Sequence, residues 1–126
     1  MRRKTLSRKS KSTIPKLRRK CDALLQQEGR RRFKKCEVCD KLMNCLHHFY
    51  PKSMSSKLRY EWTNLIPICN SCHFRHHSTG DPSIHATIIS KRGQEWYEFL
   101  TMTKREIIKT SVAYYREVLQ KLQSKN

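Results

Sequence analysis

Two Cys-x-x-Cys pairs, Cys36/Cys39 and Cys69/Cys72, bracket a His-His step at His47-His48, and His73 follows the second pair directly. Four thiolates in two such pairs suit one tetrahedral structural zinc ion. The 29 residues between Cys39 and Cys69 exceed the ~15–20 of a minimal zinc ribbon, so something is inserted between the two halves. His47, His48 and Asn64 lie within that insertion. Cys21 and Cys45 have no partner at ligand spacing. Cys21 reads as a small helix-face residue, and Cys45 as a minor competitor for a ligand position.

The histidines ask for a second kind of site. His47, His48, His73, His76 and His77 fall within 31 residues. If Cys72 begins a helix, His73 and His77 are four apart and share a face, as two ligands of one metal would. His47 completes that set from the preceding hairpin, and whether His76, His77 or Cys45 also binds is left open. A hydrolytic site on a phosphodiester needs a divalent cation to neutralise the phosphate and stabilise the leaving oxygen. It needs a general base, and neutral imidazole is poised for that near pH 7. It also needs a group that holds the base at the correct angle.

Charge names the partner class. The 126 residues carry a net charge of +18, and residues 1–35 hold 15 of the 28 lysines and arginines against only Asp22 and Glu28. A field of that sign and density favours a polyanion. Arg30, Arg31, Arg32, Lys34 and Lys35 run directly into the first Cys pair, and Lys52, Lys57, Arg59 and Arg75 are further candidates for phosphate contact. No run approaches the ~18 apolar residues that span a bilayer, and no apolar segment follows the basic N-terminus as in a secretory signal. The expected location is the cytoplasm, where six cysteines argue for metal rather than disulfides.

These residues must be carried by a small polar chain whose core needs a staple. Residues 1–13 read as a basic arm, disordered when free. Residues 14–35 read as a basic helix and linker, with Thr13 as cap, Pro15 in the first turn, Leu17, Cys21, Leu24 and Leu25 on one face, and Gly29 as the stop. Residues 36–80 form the metal finger, in which Leu46–Tyr50 is a strand or loop and Cys72–His77 starts a short helix. Residues 81–126 are helical. Asp81-Pro82 opens a helix through Ile84, Ile88 and Ile89 that ends near Gly93. Thr103-x-x-Glu106 reads as a capping box for a last helix with Ile108, Val112, Tyr115, Leu119 and Leu122 in a stripe. That stripe reads as core packing or, alternatively, as a homodimer contact.

His47-His48, Asn64-Leu65 and Cys69-Asn-Ser-Cys72-His73 together resemble the HNH endonuclease family. The resemblance covers about residues 36–77. It implies a small α+β fold, a treble-clef or ββα-metal zinc-finger core flanked by helices, with a long C-terminal helix. By resemblance, His47 and His73 are ligands of a catalytic Mg²⁺ or Mn²⁺, His77 adds another, His48 is the general base, and Asn64 braces the hairpin and orients that base. Leu58-Arg59-Tyr60, Asn64, the second Cys pair and the run Ile88–Glu95 are also similar to the phage lambda NinG (Rap) recombination endonucleases. That second resemblance implies branched DNA such as Holliday junctions or D-loops as substrate, and a host bacterial cytoplasm. This chain has His47-His48 where that group has Gly-His, and His73 where it has Asn, both toward the fuller HNH ligand set. Three other readings compete: a duplex-nicking HNH nuclease, a non-catalytic zinc DNA-binding accessory of recombination, and an RNA-binding zinc protein.

Overall fold

The computed structural model describes the backbone of residues 2–124 and the side chains of residues 13–124. The elements are α1 (Arg2–Arg32), β1 (Cys45–His48), β2 (Leu65–Ile68), α2 (Asn70–Ser78), α3 (Pro82–Arg92), α4 (Gln94–Thr103) and α5 (Val112–Gln123), with a 3-10 turn at Trp62–Asn64 before β2. Among the described residues this is an α+β fold of five helices and one two-stranded antiparallel sheet. The chain divides into two compact units, Met1–Glu28 with Lys109–Asn126, and Gly29–Ile108.

The first unit joins most of α1 to α5. Cys21 and Leu25 are buried on α1, as are Tyr115, Val118, Leu119 and Leu122 on α5. The Cys21 thiol donates to the Tyr115 carbonyl at 3.4 Å, and Arg18 Nε donates to the Tyr115 hydroxyl at 3.1 Å. The C-terminal stripe is therefore covered within the chain itself, which favours its core reading.

Two helix starts differ from expectation. Helix α1 begins at Arg2 rather than at a Thr13 cap, and passes through Pro15. Residues 2–14 hold no glycine or proline and are rich in Lys and Arg, which are good helix formers; Pro15 removes one N–H from the ladder without ending it. Thr103 and Glu106 do not open the last helix. Thr103 closes α4, its hydroxyl donating to the Phe99 carbonyl at 2.7 Å. Ser111 caps α5 instead, accepting from the Tyr114 N–H at 3.2 Å.

Gly29 does not stop α1, which continues to Arg32. A Cβ at Gly29 would collide with the side chain of Leu46, which is 3% exposed. Glycine is there so that the last turn of α1 can approach β1 closely.

In the second unit, the first Cys pair sits on a tight knuckle. Cys36 N–H donates to the Lys41 carbonyl and Asp40 N–H to the Cys36 carbonyl, and Asp40 takes φ 65°. The Glu37 N–H donates to the Pro67 carbonyl at 2.8 Å, pinning the knuckle to β2. The second pair lies at the start of α2, where the Cys69 sulfur caps the helix by accepting from the Cys72 N–H at 3.5 Å. Arg92 on α3 forks onto the Glu37 carboxylate at 2.6 and 2.7 Å and donates to the Thr63 and Leu65 carbonyls. One guanidinium thus fastens α3 to the knuckle and to β2.

Cys36, Cys69 and Cys72 belong to the buried core with Ile66, Ile68 and Ile84. The four sulfurs of Cys36, Cys39, Cys69 and Cys72 lie within 4.8 Å of one another, and those of Cys39 and Cys69 are 3.6 Å apart. Tetrahedral Zn–S bonds put sulfurs about 3.8 Å apart, so the residues fit zinc. Burial opposes ionisation of Cys69, but the Cys72 N–H and the neighbouring thiols hold it down to about 7. The Cys72 thiol is pushed up, first by burial and then by its neighbours. Four adjacent thiolates need a cation to be stable together.

Two outcomes follow for stability. Stripping zinc with a chelator at neutral pH should abolish the cooperative melt of residues 29–108, read by near-ultraviolet circular dichroism, and adding zinc back should restore it. A chelated protein that melts as before would remove the structural role of the four cysteines. Gly29→Ala should lower the melting temperature despite the ~1 kcal/mol that alanine gains in a helix, because overpacking against Leu46 costs about 1–3 kcal/mol. A higher melting temperature would mean that Leu46 yields freely.

Candidate active site

Strand β1 sets the site by its alternation. Successive side chains leave a strand on opposite faces, and here His47 and His48 have entirely different partners. His47, 3% exposed, meets His73, His76 and His77 of α2 and His85 of α3, with ring centroids 4.9–5.4 Å away. His48 turns instead to the loop that follows: its Nε2 lies 2.9 Å from the Arg59 carbonyl oxygen. The register His47↔Ile66 and His48↔Leu65 holds both in place.

Helical spacing does the rest. His73 and His77 are one turn apart on α2, and with His47 they place three ring nitrogens within 4.8 Å of one another. The chemistry of the set fits a divalent ion. Burial, reinforced by neighbouring imidazoles, pushes His47 down to about 2. Burial likewise lowers His73 below the ordinary histidine range. These rings are therefore neutral at physiological pH and present lone pairs rather than charge. Cys45 stands outside the four-sulfur cluster, its sulfur 3.6 Å from His73 Nδ1.

A carbonyl oxygen only accepts, so the 2.9 Å contact assigns the proton of neutral His48 to Nε2 and makes Nδ1 the basic nitrogen. Asn64 fixes the frame around it. The side chain is fully buried; its Oδ1 accepts from the Tyr50 N–H at 2.8 Å, and its Nδ2 donates to the Tyr50 and Leu58 carbonyls at 3.1 and 3.2 Å. The Asn64 carbonyl takes the Phe49 N–H at 2.9 Å. Leu58 precedes Arg59, so Asn64 ties down the peptide next to the one that holds His48.

The basic candidates fall into two groups. Arg30, Arg31, Arg32, Lys34, Lys35 and Lys52 are exposed, and Arg32 stacks over Trp62 with its guanidinium carbon 4.1 Å from the ring centre. Lys57, by contrast, meets Glu61 at 4.0 Å and Glu106 at 3.8 Å, and Arg75 meets Asp81 at 3.2 Å. Those two would exchange a carboxylate for a phosphate. Arg59 is half-buried and lends its carbonyl to His48.

Sequence reasoning missed His85. Its Nε2 lies 2.9 Å from His47 Nε2, and its ring is stacked between Phe49 and His76 at 4.3 and 4.1 Å. The signal was present: Asp81-Pro82 fixes the start of α3, Ile84 and Ile88 mark its buried face, and His85 stands beside Ile84.

Comparison with known proteins agrees with this geometry. Residues 36–79 match the family model of the HNH endonucleases. That segment contains both Cys pairs, His47, His48, Asn64, His73 and His77. No match to this chain was found among curated proteins or among solved structures. Residues 36–79, about a third of the chain, are thus similar to the HNH endonucleases, and they hold a four-cysteine cluster suited to zinc.

Proposed function

We propose that the protein is a metal-dependent DNA endonuclease. The observation that carries this reading is the division of labour on β1: His47 joins a three-histidine set, while the next residue is held by a backbone carbonyl in the tautomer a base requires. A divalent ion held by His47, His73 and His77 would neutralise the scissile phosphate and stabilise the leaving oxygen.

His48 Nδ1 takes a proton from water as the water oxygen attacks phosphorus. The imidazolium so formed is stabilised by its Nε2–H bond to the Arg59 carbonyl. Asn64 touches no reacting atom in this scheme. It is a positioning residue, acting through Leu58 and Tyr50. The exposed run Arg30–Lys35 supplies phosphate contacts, so affinity for DNA falls steeply with salt.

Branched recombination intermediates are the proposed substrate. The motif resemblance to the NinG group motivates this reading, together with the exposed basic run Arg30–Lys35 and the exposed Lys52 on a separate stretch.

The test is cleavage of a four-way junction and of a matched linear duplex in Mg²⁺ or Mn²⁺, by wild type and His48→Ala. Wild type should cut, with the junction preferred. The variant should keep its zinc and its DNA affinity while losing about 10²–10⁴-fold in rate. Absence of cutting by wild type with DNA binding intact would leave a zinc-stapled binding module. Asn64→Leu should cost about 1–3 kcal/mol in stability through the orphaned Tyr50 N–H. It should also lower kcat at unchanged KM for DNA. An equal loss for Asn64→Leu in KM alone would count against positioning of the base.

A further inference from the structure

His47, His73 and His77 do not exhaust the cluster. His47, His76 and His85 form a second set whose ring nitrogens also lie within 4.8 Å of one another, and none of the three is exposed. The members come from three elements, β1, α2 and α3, so α3 contributes to the cluster beyond the span of the HNH match. His47 Nε2 and His85 Nε2 are 2.9 Å apart. In a tetrahedral zinc site two imidazole nitrogens stand about 3.3 Å apart, so this pair is already close to the spacing of two ligands. His85 is held there by ring stacking on Phe49. His76 is the adjustable member: it is half-exposed, and its ring lies 17° from parallel with that of His85. Stacked rings cannot both aim in-plane lone pairs at one ion, so His76 must turn about its side-chain torsions to bind.

We propose that His47, His76 and His85 form a second, transition-metal site that shares His47 with the nuclease set, so that an ion occupies one set or the other. Exclusion follows from the shared ring. A neutral imidazole has one lone pair to give, and serving two ions at once would require its deprotonation. Three imidazoles with no carboxylate select zinc-like borderline ions over Mg²⁺. Zinc is therefore an inhibitor of Mn²⁺-dependent cutting, drawing His47 toward α3 and away from His73 and His77. The existence of the second site stands on geometry alone, whereas its inhibitory consequence rests on the proposed endonuclease activity.

Cobalt reports the site directly. Protein with its four-cysteine site filled with zinc is titrated with Co²⁺, and visible d–d absorption and bound cobalt per chain are measured. The absence of thiolate charge-transfer bands shows that cobalt has not replaced the structural zinc. Wild type should take up one Co²⁺ per chain. His73→Ala/His77→Ala, which leaves only the second set, should still bind one Co²⁺, with an altered spectrum. Adding His85→Ala to that double variant should weaken binding by more than roughly 100-fold, beyond the loss expected from an outer-shell partner. His85→Ala alone should keep one Co²⁺ on the first set and make Mn²⁺-dependent cutting less sensitive to added zinc. Each variant is accepted only if its zinc content and melt match wild type. A folded double variant that binds no Co²⁺, or one whose binding ignores His85→Ala, would overturn the second site. Two Co²⁺ bound together in wild type would overturn exclusion. If cobalt behaves as expected but wild type cuts no DNA, the endonuclease reading fails and the site remains.

Discussion

The side-chain amide of Asn64 is the constraint on which the rest of the finger depends. It is fully buried, and its oxygen and nitrogen make three hydrogen bonds to the backbone of Tyr50 and Leu58. Those bonds close the loop that leaves β1 and returns to β2. A buried amide of this kind contributes little net energy when satisfied and is costly when disrupted, so it acts more as a specification of geometry than as glue. The loop it closes delivers the Arg59 carbonyl to His48. Register, loop and the orientation of the His48 ring thus converge on one residue.

The two clusters solve different electrostatic problems. Four clustered thiols, three of them in the core, would repel one another as thiolates, and burial followed by the neighbouring thiols pushes Cys72 toward the neutral form; a bound zinc would reconcile burial with ionisation. His47 and the four imidazoles around it face the opposite difficulty, since protonating several at once would place like charges about 5 Å apart. Burial eases it by lowering His47 to about 2 and His85 to about 4, and by lowering His73 and His76 as well. Among the described residues no buried side-chain nitrogen or oxygen lacks a partner. The histidine cluster is therefore internally satisfied by hydrogen bonds such as His47–His85, and an ion that enters must replace them.

Much of this was legible in the sequence because it rests on short-range rules. The two Cys-x-x-Cys turns, the four-residue spacing of His73 and His77, and the Asp81-Pro82 start of α3 each need only a few adjacent residues. Two helix boundaries were not legible, because local signals competed. Gly29 looks like a stop, yet its role is to let α1 approach Leu46, a contact 17 positions away. Thr103 and Glu106 have capping-box spacing, but Ser111 holds the actual cap. His85 escaped for a related reason: the local pattern places it on α3 beside the buried Ile84 but does not say which groups it meets. Only the packing of α3 against the finger brings its ring to His47, 38 residues away.

Ligand chemistry gives the last step. A phosphodiesterase that depends on Mg²⁺ gains by using carboxylates, because a hard ion that dehydrates reluctantly prefers oxygen. Here both three-membered sets around His47 are wholly imidazole, and Asp81, the N-cap of α3, is committed to the Ser83 N–H and to Arg75. A nitrogen-only set binds softer ions more tightly, following the general order in which zinc exceeds manganese. Tight binding does not by itself favour turnover, because the ion that best matches the ligands need not best stabilise the transition state. If both proposed sets bind metal, the choice of ion is coupled to the arrangement of one ring. On that proposal, an ion shared with His73 and His77 would occupy the nuclease set, whereas one shared with His85 would draw His47 toward α3. The same residue that would give the site its affinity for metal would then also make it sensitive to which metal is present.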